Sequence, residues 1–316
     1  MTKRATLHPR WRDGLDYLVY LGVRLIICVL QALPERGCYA FAGALTWVAV
    51  DLFRIRRGVV EENLAHAFPN KSVAEREQIH REMWQHFGLL ICEIAQAGRR
   101  IHETNWRDHV RLGNARPLVR LMLRSDPLIA VTGHFGNFEM CGYLAGLLGF
   151  PTYTVARPLD NRYLHDFLIS FRQSTGQFIL PTKGSAPDAQ RIMDRGGKLA
   201  LLGDHYAGPK GCWVDYFGRP ASCHKSIALL SLASECPLMV IHTKRTTGFL
   251  QFEMTMAGCH DPQLDSKGET VPELTQWYTQ QIEQIVQDAP GQYWWLHRRW
   301  KDTRKQRAKK RTPRAA

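Results

Sequence analysis

Residues 132–139 read Thr-Gly-His-Phe-Gly-Asn-Phe-Glu and bring together two side chains suited to proton transfer, His134 and Glu139. An imidazole titrates near neutral pH, and a carboxylate beside it fixes its tautomer and raises its basicity. That is the base-and-orienter pair needed to deprotonate a hydroxyl attacking an acyl carbon. Five positions along one continuous helix would set the two residues about 140° apart. They converge if Phe135-Gly136-Asn137 forms a turn, with Asn137 as N-cap and Glu139 in the first helical turn, where the dipole favours its charge. A serine nucleophile has no support, because the chain contains no Gly-x-Ser-x-Gly elbow.

The elements that must position this pair are a short apolar run, Leu128-Ile129-Ala130-Val131, read as a buried strand, and a helix over 138–148. In an open α/β sheet, ligands bind where a strand ends and its helix begins. Further strands are expected over 152–155, 178–180, 199–202, 237–243 and 249–254, and helices over 163–175, 186–194, 226–234 and 271–288. Upstream, residues 56–100 have helical periodicity. Ser72 and Glu75 form a capping-box signature there, and Ile79, Met83, Phe87 and Leu90 form an apolar stripe. Residues 107–126 read as one more helix, ended by Ser125-Asp126-Pro127. Strands alternating with helices imply an α/β fold whose mostly parallel central sheet is flanked by helices on both faces.

The amino terminus has a different texture. Lys3, Arg4, Arg10 and Arg12 precede an apolar run from Leu15 to Leu33, interrupted by Arg24, and a second run from Cys38 to Phe53 follows. No small-residue cleavage site of a signal peptide is evident. About 20 apolar residues are needed to span a bilayer, and a central arginine costs about 2.5–3.5 kcal/mol on insertion scales. The segment is therefore expected to anchor the protein in a membrane, either spanning it or lying in its interface. The domain reading is a membrane-anchoring helical segment over 1–55, an α/β domain over 56–300 and a basic tail over 301–316.

Composition bounds the rest. The chain has 316 residues, 45% hydrophobic and 22% charged, with a mean hydropathy of −0.29, which excludes wholesale disorder and a many-span transporter. The net charge is +13, and the tail accounts for seven of it, with eight basic side chains against Asp302 alone. An anionic partner is implied, such as a phospholipid face. The eight cysteines form no Cys-x-x-Cys pair and mostly sit in apolar stretches, so buried hydrophobes in a reducing compartment are the better reading than a zinc ribbon or a disulfide framework.

With these residues in view, the chain resembles the lipid A biosynthesis acyltransferases, the late lauroyl and myristoyl transferases. The resemblance rests on the basic amino terminus with its apolar helix, RRGVVEENLAHAFP (56–69), TGHFGNFE (132–139), VARPLDN (155–161), LALLGDHYAGPKGCWVDYFGRPAS (199–222) and APGQYWWLHRRWK (289–301), in family order. It implies a glycerolipid-acyltransferase-like fold. It also implies transfer of a fatty acyl chain from acyl carrier protein to a hydroxyl of a lipid A precursor, with the His134–Glu139 pair as base. The location it implies is the cytoplasmic face of the bacterial inner membrane. No cofactor or metal is expected, since a thioester is already activated and no ligand cluster is visible in the sequence.

Beside that resemblance, three more residues become candidates for substrate binding. Arg157, following a strand at the carboxyl edge, could hold a phosphate by its planar fork. Asp204, closing the strand at Gly203-Asp204-His205, could orient the acceptor or another donor, whereas His205 matches no catalytic position. Arg299 lies in a stretch where Arg298, Arg299 and Lys301 are interleaved with Trp294, Trp295 and Trp300, a mixture suited to a headgroup interface. Asp160 and Asn161 are read as turn-shaping residues. Two alternatives stay open at this point. One is an acyl-CoA-dependent glycerolipid or phosphoglycolipid acyltransferase. The other is a non-enzymatic basic protein binding membrane or nucleic acid, although no nucleic-acid fold signature is present and none is the expected partner.

Overall fold

A computed structural model of the chain describes residues 10–182, 184–265 and 269–301. The tail expected over 301–316 falls outside the described residues except for Lys301, as does the basic start of the chain up to residue 9.

Two amino-terminal helices, α1 (Arg10–Ala32) and α2 (Glu35–Trp47), are followed by a π-helical turn (Val48–Leu52), α3 (Arg57–Ala67) and the long α4 (Val73–Arg100). The capping box on α4 is formed as the sequence implies: Glu75 N donates to Ser72 Oγ, and the Glu75 carboxylate accepts from Ser72 N. The body then runs through β1 (Val110–Gly113), α5 (Ala115–Leu123), β2 (Leu128–Thr132), α6 (Phe138–Leu147), β3 (Thr152–Ala156), α7 (Arg162–Gln173), β4 (Gln177–Pro181), α8 (Ala186–Asp194) and β5 (Lys198–Leu202). After a hairpin of β6 (Cys212–Tyr216) and β7 (Arg219–Cys223) come α9 (Lys225–Ala233), β8 (Leu238–Arg245), β9 (Phe252–His260) and α10 (Val271–Asp288).

Seven strands form one sheet in the order β1-β9-β8-β2-β5-β3-β4, parallel throughout except for the β8–β9 pair. The expected α/β class, with a mostly parallel sheet between helices, is what the chain adopts. Strand alternation divides the core into two halves. Ile129, Val131, Leu238 and Val240 pack with α3, α4 and α10 on one face, while Leu128, Ala130, Met239 and Ile241 pack with α2 and α6 on the other.

Residues 107–126 differ from the single helix expected of them. They form a short 3-10 turn, strand β1 and helix α5, broken at Asn114, which adopts φ +49°. Val110-Arg111-Leu112-Gly113 is an edge strand only because β9 lies beside it, a tertiary partner that local periodicity does not reveal. The β6–β7 hairpin was likewise unanticipated as strand. Its turn includes Gly218, with φ +70°.

Helix α1 is long and apolar enough to cross a bilayer by length and composition, at about 34 Å for 23 residues. Leu15, Leu18, Leu25, Ile26 and Val29 are exposed on it, while Asp13, Asp16 and Tyr20 face α7. Arg24 is not a lone charge: its guanidinium lies 4.7 Å from the centre of the Phe167 ring and donates to Tyr20 Oη at 2.9 Å. Helix α2, by contrast, packs into the body through buried Cys38 and Ala42 against α4.

Candidate active site

The strand-to-helix junction folds as its residue types dictate. Asn137 caps α6 by accepting from Met140 N at 3.2 Å, and Glu139 stands in the first helical turn. Gly136 makes the bend with φ +54°, and a Cβ there would lie 2.0 Å from the Thr243 carbonyl oxygen, so only glycine fits. The turn is tied at both ends by backbone hydrogen bonds: Gly136 N to Gln292 O, Asn137 N to Thr243 O and Trp294 N to His134 O, all between 2.9 and 3.0 Å.

Beneath it lies a buried polar network. Arg245 donates to both carboxylate oxygens of Glu93, at 2.5 and 2.6 Å, and Asn137 Nδ2 donates to Glu93 Oε2 at 2.9 Å. His86 donates through Nε2 to Gly136 O at 3.1 Å and accepts from Arg245 at Nδ1 at 2.6 Å. Burial, with the Arg245 charge beside it, pushes the His86 pKa down to about 3, so the ring is neutral and its tautomer follows from its partners. Sequence reasoning missed this trio. The signal was present in part, because Glu93 extends the apolar stripe 83–87–90 at helical spacing, where a carboxylate needs a partner.

The partner of His134 is Asp204. Its Oδ1 accepts from His134 Nδ1 at 2.8 Å, and its Oδ2 accepts from the His134 backbone N at 2.7 Å. Parallel pairing places Thr132 beside Leu202, so two residues further along each chain His134 and Asp204 arrive side by side at the carboxyl ends of β2 and β5. Burial opposes ionisation of the carboxyl, yet the charge and hydrogen bonds of His134 outweigh it and hold Asp204 well below the usual carboxylate range. Burial likewise works to lower the His134 pKa, and the Asp204 charge and hydrogen bond overcome it, leaving the imidazole above its ordinary value. With an ionised acceptor at Nδ1, that nitrogen carries the proton. Nε2 has no hydrogen-bond partner among the described residues and keeps its lone pair for chemistry when the ring is neutral.

Glu139 therefore does not hold the imidazole as expected. Its carboxylate takes a two-pronged contact from Arg172 on α7, Nε to Oε2 at 3.1 Å and Nη2 to Oε1. It acts on His134 through charge alone, as a minor contribution to the raised pKa. The physical reason is that the turn delivers Glu139 toward α7, while the strand register delivers Asp204 to the ring. Arg172 gave no sequence signal beyond its helical position.

The remaining candidates separate. Arg157 is exposed beyond β3, with Asp160 at 3.3 Å and both side chains open to solvent. Asn161 caps α7 by accepting from Leu164 N and reaches Asp16 O on α1 at 2.7 Å. Arg299 is 3% exposed. Its guanidinium donates to Ser222 O at 2.7 Å and Cys223 Sγ at 2.8 Å and lies 5.1 Å from the centre of the Tyr216 ring. It braces the β6–β7 hairpin and does not present a headgroup contact, because Trp295 and its neighbours form a packed strap and not a surface. That strap is fastened by Asn63 Nδ2 to Trp295 O and His297 O, both at 2.8 Å, and by Arg56 to Leu296 O at 2.8 Å. Two further imidazoles, His205 and His297, meet His134 at ring-centre distances of 4.3 and 4.9 Å.

An apolar cavity opens beside this junction. Ala130, Phe138, Ala145, Val155, Leu201 and Ile241 line it, with Glu139 and Arg172 in its wall. Phe138 also borders a smaller, narrow cleft that His134 and Trp294 line.

An oriented imidazole with a carboxylate behind it, an open Nε2 and an apolar cavity at the carboxyl edge of a parallel sheet are an arrangement capable of base-assisted chemistry on an apolar substrate. The chain belongs to the bacterial lipid A biosynthesis acyltransferases, whose family model matches residues 4–302. It is 25% identical over 305 residues to the lipid A biosynthesis lauroyltransferase of Escherichia coli (strain K12), covering 94% of each chain. It is 22% identical over 315 residues to the lipid A biosynthesis palmitoleoyltransferase of the same organism, again with 94% coverage of each. A phosphatidylinositol mannoside acyltransferase of Mycolicibacterium smegmatis is 26% identical over 206 residues, 61% of this chain and 65% of that protein. The protein is thus an acyltransferase, and the reading as a non-enzymatic basic binding protein falls away. A lipid A precursor is the substrate that the family implies, and the apolar helix α1 suits the membrane association expected of it.

Proposed function

We propose that this acyltransferase moves a fatty acyl chain from acyl carrier protein to a hydroxyl of a lipid A precursor, with His134 as general base and Asp204 as its orienting partner. The observation that carries the reading is the imidazole locked through Nδ1 on a buried carboxylate while Nε2 stays open. Nε2 takes the proton of the acceptor hydroxyl as that oxygen attacks the thioester carbonyl. The C–O bond forms, the C–S bond breaks, and the imidazolium returns its proton to the departing thiolate. The first-turn N–H groups of α6 present the positive end of its dipole to the developing oxyanion.

The apolar cavity takes the acyl chain, and the Glu139–Arg172 pair keeps its wall ordered while the Glu139 carboxylate helps to raise the His134 pKa. Arg157 meets a phosphate of the acceptor. No cofactor is required, because the thioester supplies the activation. The exposed apolar side of α1 holds the catalytic domain at the cytoplasmic face of the inner membrane, where a soluble carrier protein can reach it. Mass spectrometry of lipid A from a strain lacking the gene tests the acceptor. Loss of one acyl chain is expected, and an unchanged acylation pattern would redirect the proposal to a phosphoglycolipid acceptor, as the name of the phosphatidylinositol mannoside acyltransferase suggests, with acyl-CoA as donor.

A further inference from the structure

We infer that His134, His205 and His297 form a binding site for one divalent transition metal of the zinc class, and that its occupation arrests the enzyme by capturing the base. The site itself stands on geometry; its inhibitory consequence rests on the proposed role of His134.

The three rings come from three separate segments, the end of β2, the loop after β5 and the carboxyl-terminal strap, and one nitrogen of each lies within 4.8 Å of the others. Tetrahedral zinc with ligands at 2.0–2.1 Å needs nitrogens about 3.3 Å apart, so side-chain rotations that close the separations by up to about 1.5 Å complete the set. The rings already touch pairwise, with His205 and His297 4.6 Å apart at their centres. Two of the three are pre-positioned by the fold. Asp204 holds His134 by Nδ1, which turns Nε2 toward the cluster, and a carboxylate behind a metal-bound histidine is the usual supporting arrangement. Asn63 anchors the backbone of His297. All three ligands are neutral imidazoles, a donor set that suits zinc, copper and nickel over magnesium or calcium and leaves a fourth position open. A metal seated on His134 Nε2 uses the lone pair that would otherwise accept the hydroxyl proton.

The test uses full-length protein in detergent, freed of any affinity tag. Co²⁺ and Zn²⁺ titrations should show one site per chain with visible tetrahedral cobalt bands. His205→Gln and His297→Gln should each weaken binding by at least about 100-fold, and Asp204→Asn by about 10–100-fold, the usual effect of removing a supporting partner. Transfer by the wild type should stop with one equivalent of Zn²⁺ and return with EDTA. Each glutamine variant should keep its own metal-free rate at that zinc concentration. Metal binding that is absent, or unchanged in both glutamine variants, would overturn the site. Acceleration of transfer by zinc would overturn the inhibitory role. Histidine-dependent binding with transfer unaffected would uphold the site and refute His134 as the base.

Discussion

Asp204→Asn separates orientation of the base from packing, because the substitution keeps volume and shape. The carboxylate accepts two hydrogen bonds from His134, one from Nδ1 at 2.8 Å and one from the backbone N at 2.7 Å. An amide has only one oxygen. If that oxygen keeps the backbone N–H, the amide NH₂ faces Nδ1, which must then accept, and the remaining proton moves to Nε2, where it blocks the base. If the oxygen keeps Nδ1–H, the NH₂ group meets the backbone N–H donor to donor. A charge-assisted hydrogen bond contributes about 1.5–3 kcal/mol, and the misplaced proton adds a comparable penalty, about 3–6 kcal/mol together. At about 1.4 kcal/mol per decade this is a loss of about 10²–10⁴-fold in kcat, within the range of acid–base catalysis. KM for the acceptor should change little, since Asp204 reaches it only through His134. The acid limb of the pH–rate profile should also move. In the wild type it lies above the ordinary histidine value of about 6.5, because Asp204 raises the His134 pKa, and neutral, active imidazole is lost as pH falls through it. In the variant the limb should fall to about 6.5 or below. The assay follows a labelled acyl chain from carrier protein to lipid A precursor at saturating donor, with EDTA present, between about pH 5 and 9. A variant within threefold of wild type with an unmoved acid limb would refute the assignment of Asp204.

Other consequences follow from the scaffold. Gly136→Ala would force a Cβ to within 2.0 Å of the Thr243 carbonyl in a left-handed conformation, so thermal unfolding should show a loss of at least about 2 kcal/mol together with reduced transfer. Native stability without the clash would mean the turn is not built as described. Burial holds His86 at about 3 and His242 at about 4, below their unfolded values. A histidine with a depressed folded pKa stabilises fully above about pH 6.5, and its contribution is lost as pH falls toward the folded value, at up to about 1.4 kcal/mol per unit and group. His134 has the opposite sign, its contribution being lost as pH rises through its raised pKa. Tm should therefore drop from pH 6.5 to 5. Replacing His242 by Gln should flatten that drop, and a slope unchanged by the substitution would count against the burial argument.

Much of this architecture is written in local patterns. The runs at 128–131, 152–155 and 199–202 and the helix over 271–288 announce themselves by apolar periodicity and caps, and TGHFGNFE marks its own turn because Gly136 and Asn137 are the residues such a bend demands. What lay hidden depends on strand order. Nothing in the local sequence says that β2 pairs with β5, and without that register Asp204 is a strand-end aspartate 70 positions away while Glu139 is the nearest carboxylate in the chain. Arg299 misleads for the same reason. Arginine among tryptophans reads as an interface until the strap is folded inward against Ser222 and Tyr216. Glu93 and Arg245 are separated by 152 positions and become a pair only in three dimensions.

The central claim is that His134 removes the proton from the acceptor hydroxyl. Purified His134→Ala, shown to be folded by its melting curve, should transfer label from acyl carrier protein to lipid A precursor at least about 10²-fold more slowly than wild type, with donor binding retained. Turnover close to that of the wild type would contradict the account.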